Sequence, residues 1–109
     1  MKKLIFTICF GLMLASGSVS AQLWDGNDFT KTCTQEPDDY SASICSSIVI
    51  GVAQAGVSNR IFCMPENVTN GQTFTIASEY IKDHPEKRHI AASELIVASL
   101  IEAFPCPPK

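Results

Sequence analysis

Cysteine placement constrains this chain more than any other feature. The sequence has five cysteines. Cys9 stands inside an N-terminal stretch with the layout of an export signal: Lys2 and Lys3, an apolar run from Leu4 to Ala15, then small and polar residues ending in Val19-Ser20-Ala21. Small residues at those last positions suit a signal peptidase cutting after Ala21. The run is too short for a stable membrane span. The bulky Ile8 ahead of Cys9 argues against a lipoprotein anchor. Residues 1–21 therefore read as a signal peptide, and residues 22–109 as one small exported domain with no membrane contact after cleavage. Cys33, Cys45, Cys63 and Cys106 remain. An even set in a short exported chain reads as a disulfide framework, and a core this small benefits from staples.

The mature segment reads as helical throughout, with no strand-like alternation and no repeat. A short helix is expected before Cys33, capped by Asp25 or Asn27, with Leu23, Trp24 and Phe29 on its apolar side and Gly26 weakening it. The central helix is expected over Tyr40–Val57. Tyr40, Ile44, Ile48, Gly51, Val52 and Ala55 share one face, and Cys45, Val49 and Gly56 lie opposite. A helix apolar nearly all round is expected to be covered on several sides. Ser47, Gly51 and Ala55 are small at four-residue spacing, which suits close approach of a neighbouring helix. After a loop anchored by Phe62-Cys63-Met64-Pro65, Thr69 and Gln72 are spaced as a capping box opening a third helix to about Asp83. Pro85 ends that helix. The last helix is expected over Ile90–Phe104, with Ile90, Ile96, Val97, Leu100, Ile101 and Phe104 facing the core. Leu95 falls off that stripe, as a lone exposed leucine or part of a self-association patch. Pro105, Pro107 and Pro108 end that helix. The fold class is all-α: a small, disulfide-stapled bundle of three to four helices.

Four cysteines allow three pairings, and up-and-down topology favours one. The first helix ends where the central helix begins, near Cys33 and Cys45. The central helix carries the chain to the far end and Cys63. The third and fourth helices go out and back, returning Cys106 to that end. Cys33–Cys45 and Cys63–Cys106 are the expected bonds, contributing about 3 and about 4 kcal/mol by loop entropy.

Candidate chemistry is sparse. The whole chain carries a net charge of −3, and loss of Lys2 and Lys3 makes the mature chain more acidic. That excludes the basic patch a nucleic-acid partner needs. A thiol enzyme needs a free cysteine beside an imidazole, and every mature cysteine is expected in a bond. His84-Pro85-Glu86 followed by Pro105-Cys106 is a fragment of a zinc deaminase pattern without its final cysteine. No metal or other cofactor is expected, and the chain reads as a binder rather than an enzyme. The Asn67-Val68-Thr69 sequon carries little weight in so small a chain. His84 and His89 flank Glu86, Lys87 and Arg88 in the turn between the last two helices. This turn is either a solvated connection whose imidazoles cap helix ends, or a charged loop that meets a partner.

Taken in order, these elements resemble a known family. They are Cys45 in a helix continuing Ile48-Val49-Ile50-Gly51-Val52, then Phe62-Cys63-Met64-Pro65, then a Thr/Gln-capped helix ending Tyr80-Ile81-Lys82-Asp83-His84-Pro85-Glu86, then Ala103-Phe104-Pro105-Cys106. The chain looks like the Rap/Tai family of exported immunity proteins, which neutralise type VI secretion amidase effectors that cut peptidoglycan peptides. The resemblance spans about Gly26 to Cys106. It departs at Ala53-Gln54, where an acidic residue is common. It implies a periplasmic, all-helical, often dimeric protein that blocks an amidase cleft with a protruding segment. The contact residues expected here are His84, Glu86, Lys87, Arg88 and His89, with Leu95 on a self-association face. The rival reading is a small periplasmic stress-response or chaperone-like protein, which the even mix of charges favours less.

Overall fold

A computed structural model describes residues 24–108. The signal peptide expected over residues 1–21 lies outside them. Among the described residues the chain forms four α-helices: α1 (Gly26–Cys33), α2 (Asp39–Ser58), α3 (Asn70–Asp83) and α4 (Ala92–Ala103). A single 3-10 turn, Pro85–Lys87, lies between α3 and α4. The fold is the expected all-α, disulfide-stapled bundle.

Local chemistry sets the helix ends. Asp25 caps α1, and its carboxylate and that of Asp28 accept reciprocally from each other's backbone N–H. Asp38 caps α2 through the Ser41 N–H, and this bond holds its carboxyl below the usual value of 3.8. Thr69 and Gln72 form the expected capping box on α3. At the end of α2 the Ile61 N–H reaches the Gly56 carbonyl and the Arg60 N–H reaches that of Val57, with Arg60 left-handed at φ 54°. This is the Schellman closure, with arginine where glycine is usual.

The core is built from Phe29, Val49, Phe62, Ile81, Ile96 and Leu100, all fully buried. The α3–α4 pair is the most closely packed, and α1 touches all three other helices. Phe62, in the loop after α2, packs against Gly56, where a Cβ would strike its ring. Both buried hydroxyls are satisfied locally: Thr73 donates to the Thr69 carbonyl and Ser99 to that of Ile96. Cys33 bonds to Cys45 and Cys63 to Cys106, with Cα–Cα distances of 5.8 and 4.8 Å. The Cys63 N–H also donates to the Phe104 carbonyl at 2.9 Å, so the second staple is doubled by a backbone bond.

The structure corrects the periodicity reading at three points. First, α2 is buried along one face only, at Cys45, Val49, Ala53 and Gly56. Among the described residues no helix covers its outer strip, where Tyr40 is 76% exposed, while Ile48 and Val52 at the edge of that strip pack against the core. Second, Ser47, Gly51 and Ala55 are exposed, and among the described residues no heavy atom lies within 4 Å of a Cβ built on Gly51 and no helix approaches this stripe. Third, Leu95 is 2% exposed and belongs to the core, whereas Ile101 is 42% exposed. The buried side of α4 is Ala92, Leu95, Ile96, Ser99 and Leu100. Its arc is rotated towards α1, which lies over the start of α4 and covers Leu95. The Leu95 side chain is therefore not available to a self-association face.

Candidate functional site

The turn between α3 and α4 is the segment on which the sequence places its contact residues. Its path is fixed by proline and by backbone bonds. Pro85 opens the 3-10 turn, Lys87 N–H donates to the His84 carbonyl at 3.0 Å, and Ile90 N–H donates to that of Lys87 at 2.9 Å.

Three of the five expected residues turn inward. The His84 ring stacks on Tyr80 with centroids 4.1 Å apart, and its Nδ1 lies 2.7 Å from the Tyr80 carbonyl. An Nδ1–H donates to that carbonyl. Lys87 Nζ donates to the Tyr80 hydroxyl at 3.2 Å and lies 5.6 Å from that ring's centroid. Arg88 donates from Nη2 to the Lys82 carbonyl at 2.7 Å and from Nε to the Ile81 carbonyl at 3.3 Å. It thereby caps the terminal Lys82 carbonyl of α3 and adds a second donor to that of Ile81, which also accepts from the His84 N–H. Glu86 and His89 are exposed and make no side-chain bond among the described residues. The turn presents an acid and an imidazole outward from a base held by its other three side chains.

The turn is also held from a side that sequence reasoning missed. The first backbone donors of α1, which have no helical partner, point at its carbonyls. Gly26 N–H donates to Ile90 and Asn27 N–H to Arg88, both at 3.0 Å. In return Ala92 N–H donates to the Trp24 carbonyl at 2.8 Å, and Asp25 and Ala91 form an isolated antiparallel bridge. A Cβ on Gly26 would stand 2.7 Å from Leu95 Cδ1 and 2.8 Å from Arg88 Cα. Gly26, read from the sequence as a weak spot in a short helix, is the point where two backbones meet. The signal was the glycine itself, inside an otherwise well-capped turn.

A shallow depression of about 280 Å³ lies beside the turn, walled by Tyr80, Asp83, His84 and Glu102. A groove of about 380 Å³ lies nearer the other end of α3, between α2 and the preceding loop, and is lined by Ile50, Ala53, Val57, Met64 and Val68. Among the described residues no three His, Cys, Asp or Glu side chains converge where a metal ion could sit.

A family model for Rap1a immunity proteins matches residues 25–106. The chain belongs to the Rap1a immunity protein family. The matched span opens at Asp25, the cap that begins the N-terminal turn, and closes at Cys106, the end of the second staple. Membership in the Rap1a family makes this an immunity protein, whose partner is a cognate secreted effector. No curated protein and no solved structure matches the chain.

Proposed function

We propose that this Rap1a protein is exported to the periplasm and protects the cell by occluding the catalytic cleft of a type VI secretion amidase that cuts peptidoglycan peptides. The inhibitor performs no chemistry. It seats the turn of residues 84–89 in the cleft, with Glu86 and His89 making the outer contacts and His84, Lys87 and Arg88 holding the shape. The observation that carries this reading is the division of labour in the turn: two exposed polar side chains on a backbone braced from α3 and from the start of α1. A rigid presentation of this kind limits the ordering cost of binding. Homodimerisation belongs to the same proposal, without Leu95 in its seam.

The test is inhibition of peptidoglycan-peptide hydrolysis by the type VI amidase encoded beside this protein, with binding read by calorimetry. The Glu86→Ala/His89→Ala double variant should bind about a hundredfold more weakly, from roughly 1–2 kcal/mol at each contact. Failure of the wild-type protein to inhibit the amidase would reject the target. Unchanged inhibition by the double variant would reject this contact surface alone.

A further inference from the structure

We infer that the N-terminal turn Trp24–Asn27 is a positioning element for the effector-contacting turn, with Gly26 as its critical residue. This rests on the contact surface proposed above. The backbone of Asp25–Asn27 lies against that of Arg88–Ala91, joined by Gly26 to Ile90, Asn27 to Arg88 and Ala92 to Trp24, at 2.8–3.0 Å. Every one of these is a backbone bond, so the pairing specifies the path of the loop rather than the identity of its side chains. The loop can thus vary to suit an effector while its brace stays the same.

Two features make this a designed contact rather than a passing one. The donors are the free N–H groups at the start of α1, which would otherwise need water or a side chain. Asp25 completes the set by taking the Asp28 N–H on its carboxylate and the Phe29 N–H on its carbonyl. The approach is also closer than any side chain permits. With backbone Cα and carbonyl atoms of Arg88 2.8 and 3.1 Å from a Cβ on Gly26, relief requires the loop itself to shift. The Cys33–Cys45 bond holds the other end of α1 to α2, so the brace is anchored to the core.

A contact loop that is correctly placed for only a tenth of the time binds about tenfold more weakly. Gly26→Ala adds the forbidden Cβ. Asn27→Pro removes the N–H given to Arg88, at a first-turn position proline suits, and gives up only an exposed side chain. Val49→Ala serves as the control. It empties part of the core at a fully buried site on α2, away from the turn.

Each full mature chain is measured for amidase affinity, urea midpoint and amide exchange. Gly26→Ala and Asn27→Pro should speed exchange of the Lys87-bonded Ile90 amide and weaken binding about tenfold, mainly in the association rate. Val49→Ala should lower the midpoint and leave both other quantities at wild-type values. The inference is overturned if Gly26→Ala folds with wild-type exchange in the turn, if its exchange rises while affinity is unchanged, or if Val49→Ala weakens binding equally. Should the wild-type protein bind no amidase, the occlusion reading fails on its own, and the exchange of Ile90 still decides whether Gly26 positions the turn.

Discussion

The two disulfides differ in loop length and in burial, and these properties rank them in opposite orders. Loop entropy favours Cys63–Cys106. Its separation of 43 residues corresponds to about 4 kcal/mol, against about 3 for the 12 residues between Cys33 and Cys45. Burial favours the shorter bridge. Cys33 is 4% exposed and Cys45 0%, whereas Cys63 is exposed and Cys106 half-buried. Replacing each pair by serine separates the two effects. At Cys63 and Cys106 the hydroxyls meet water, and the Cys63 N–H to Phe104 bond is backbone and survives, so the loss is about 4 kcal/mol. At Cys33 and Cys45 each hydroxyl enters the core at about 1–3 kcal/mol. The lower end applies, because a helical serine can bond the carbonyl four residues back. The total there is about 5 kcal/mol, comparable to the whole stability of many small domains. Urea titration of both double-serine and both double-alanine variants reads this directly. Alanine should outperform serine by roughly 1–2 kcal/mol at the buried pair and by less than about 0.5 at the exposed pair. An equal serine–alanine gap at the two pairs would refute the burial argument. Cys33→Ser/Cys45→Ser should also weaken effector binding where it stays folded, because that bond anchors the helix that braces the contact turn.

Two further outcomes follow from the packing and the caps. Leu95→Ala should destabilise by about 3 kcal/mol, and Ile101→Ala by less than about 1, reversing the order the helical stripe implies; thermal or urea midpoints decide. Asp38 has a carboxyl held low by the Ser41 bond, so its contribution is present above 3.8 and is lost as pH falls through the lower folded value. The stability advantage of wild-type over Asp38→Asn should therefore begin to shrink as pH falls below 3.8 and be gone once the lower folded value is passed, as followed by urea midpoints from about pH 5 to about pH 2.

The architecture was legible because short-range rules govern it. Thr69 and Gln72 announce a helix start, Pro85 and Pro105 announce stops, and the cysteine positions fix which ends meet. Faces were less legible, because a helical wheel says which residues are apolar and not how many neighbours will cover them. Leu95 looked stray against two helices and is buried because α1 supplies a third. Conversely α2 is apolar nearly all round, and has both the length of a membrane span and a mean hydropathy of 1.4, yet among the described residues it is fully buried along one side only. Its disulfide to α1 and its buried Val49 and Ala53 tie that side to the bundle.

The contact turn was the least legible part, and the reason is physical. His84, Lys87 and Arg88 stood out as polar residues in a loop, but their heads are engaged by Tyr80 and the end of α3. What a charged side chain does in a turn depends on whether carbonyls left over from a helix end lie within its reach, and spacing alone does not report that. Glu86 and His89 have no side-chain bond among the described residues to specify them. Under the proposed occlusion their identities answer to the effector surface, whereas those of Gly26, Pro85 and Arg88 answer to the backbone. Substitution should separate the classes. Changes at Glu86 and His89 should alter which effector is bound at constant stability. Changes at Gly26 and Arg88 should weaken binding to every effector alike, because they move the platform on which any pair of outward side chains is carried.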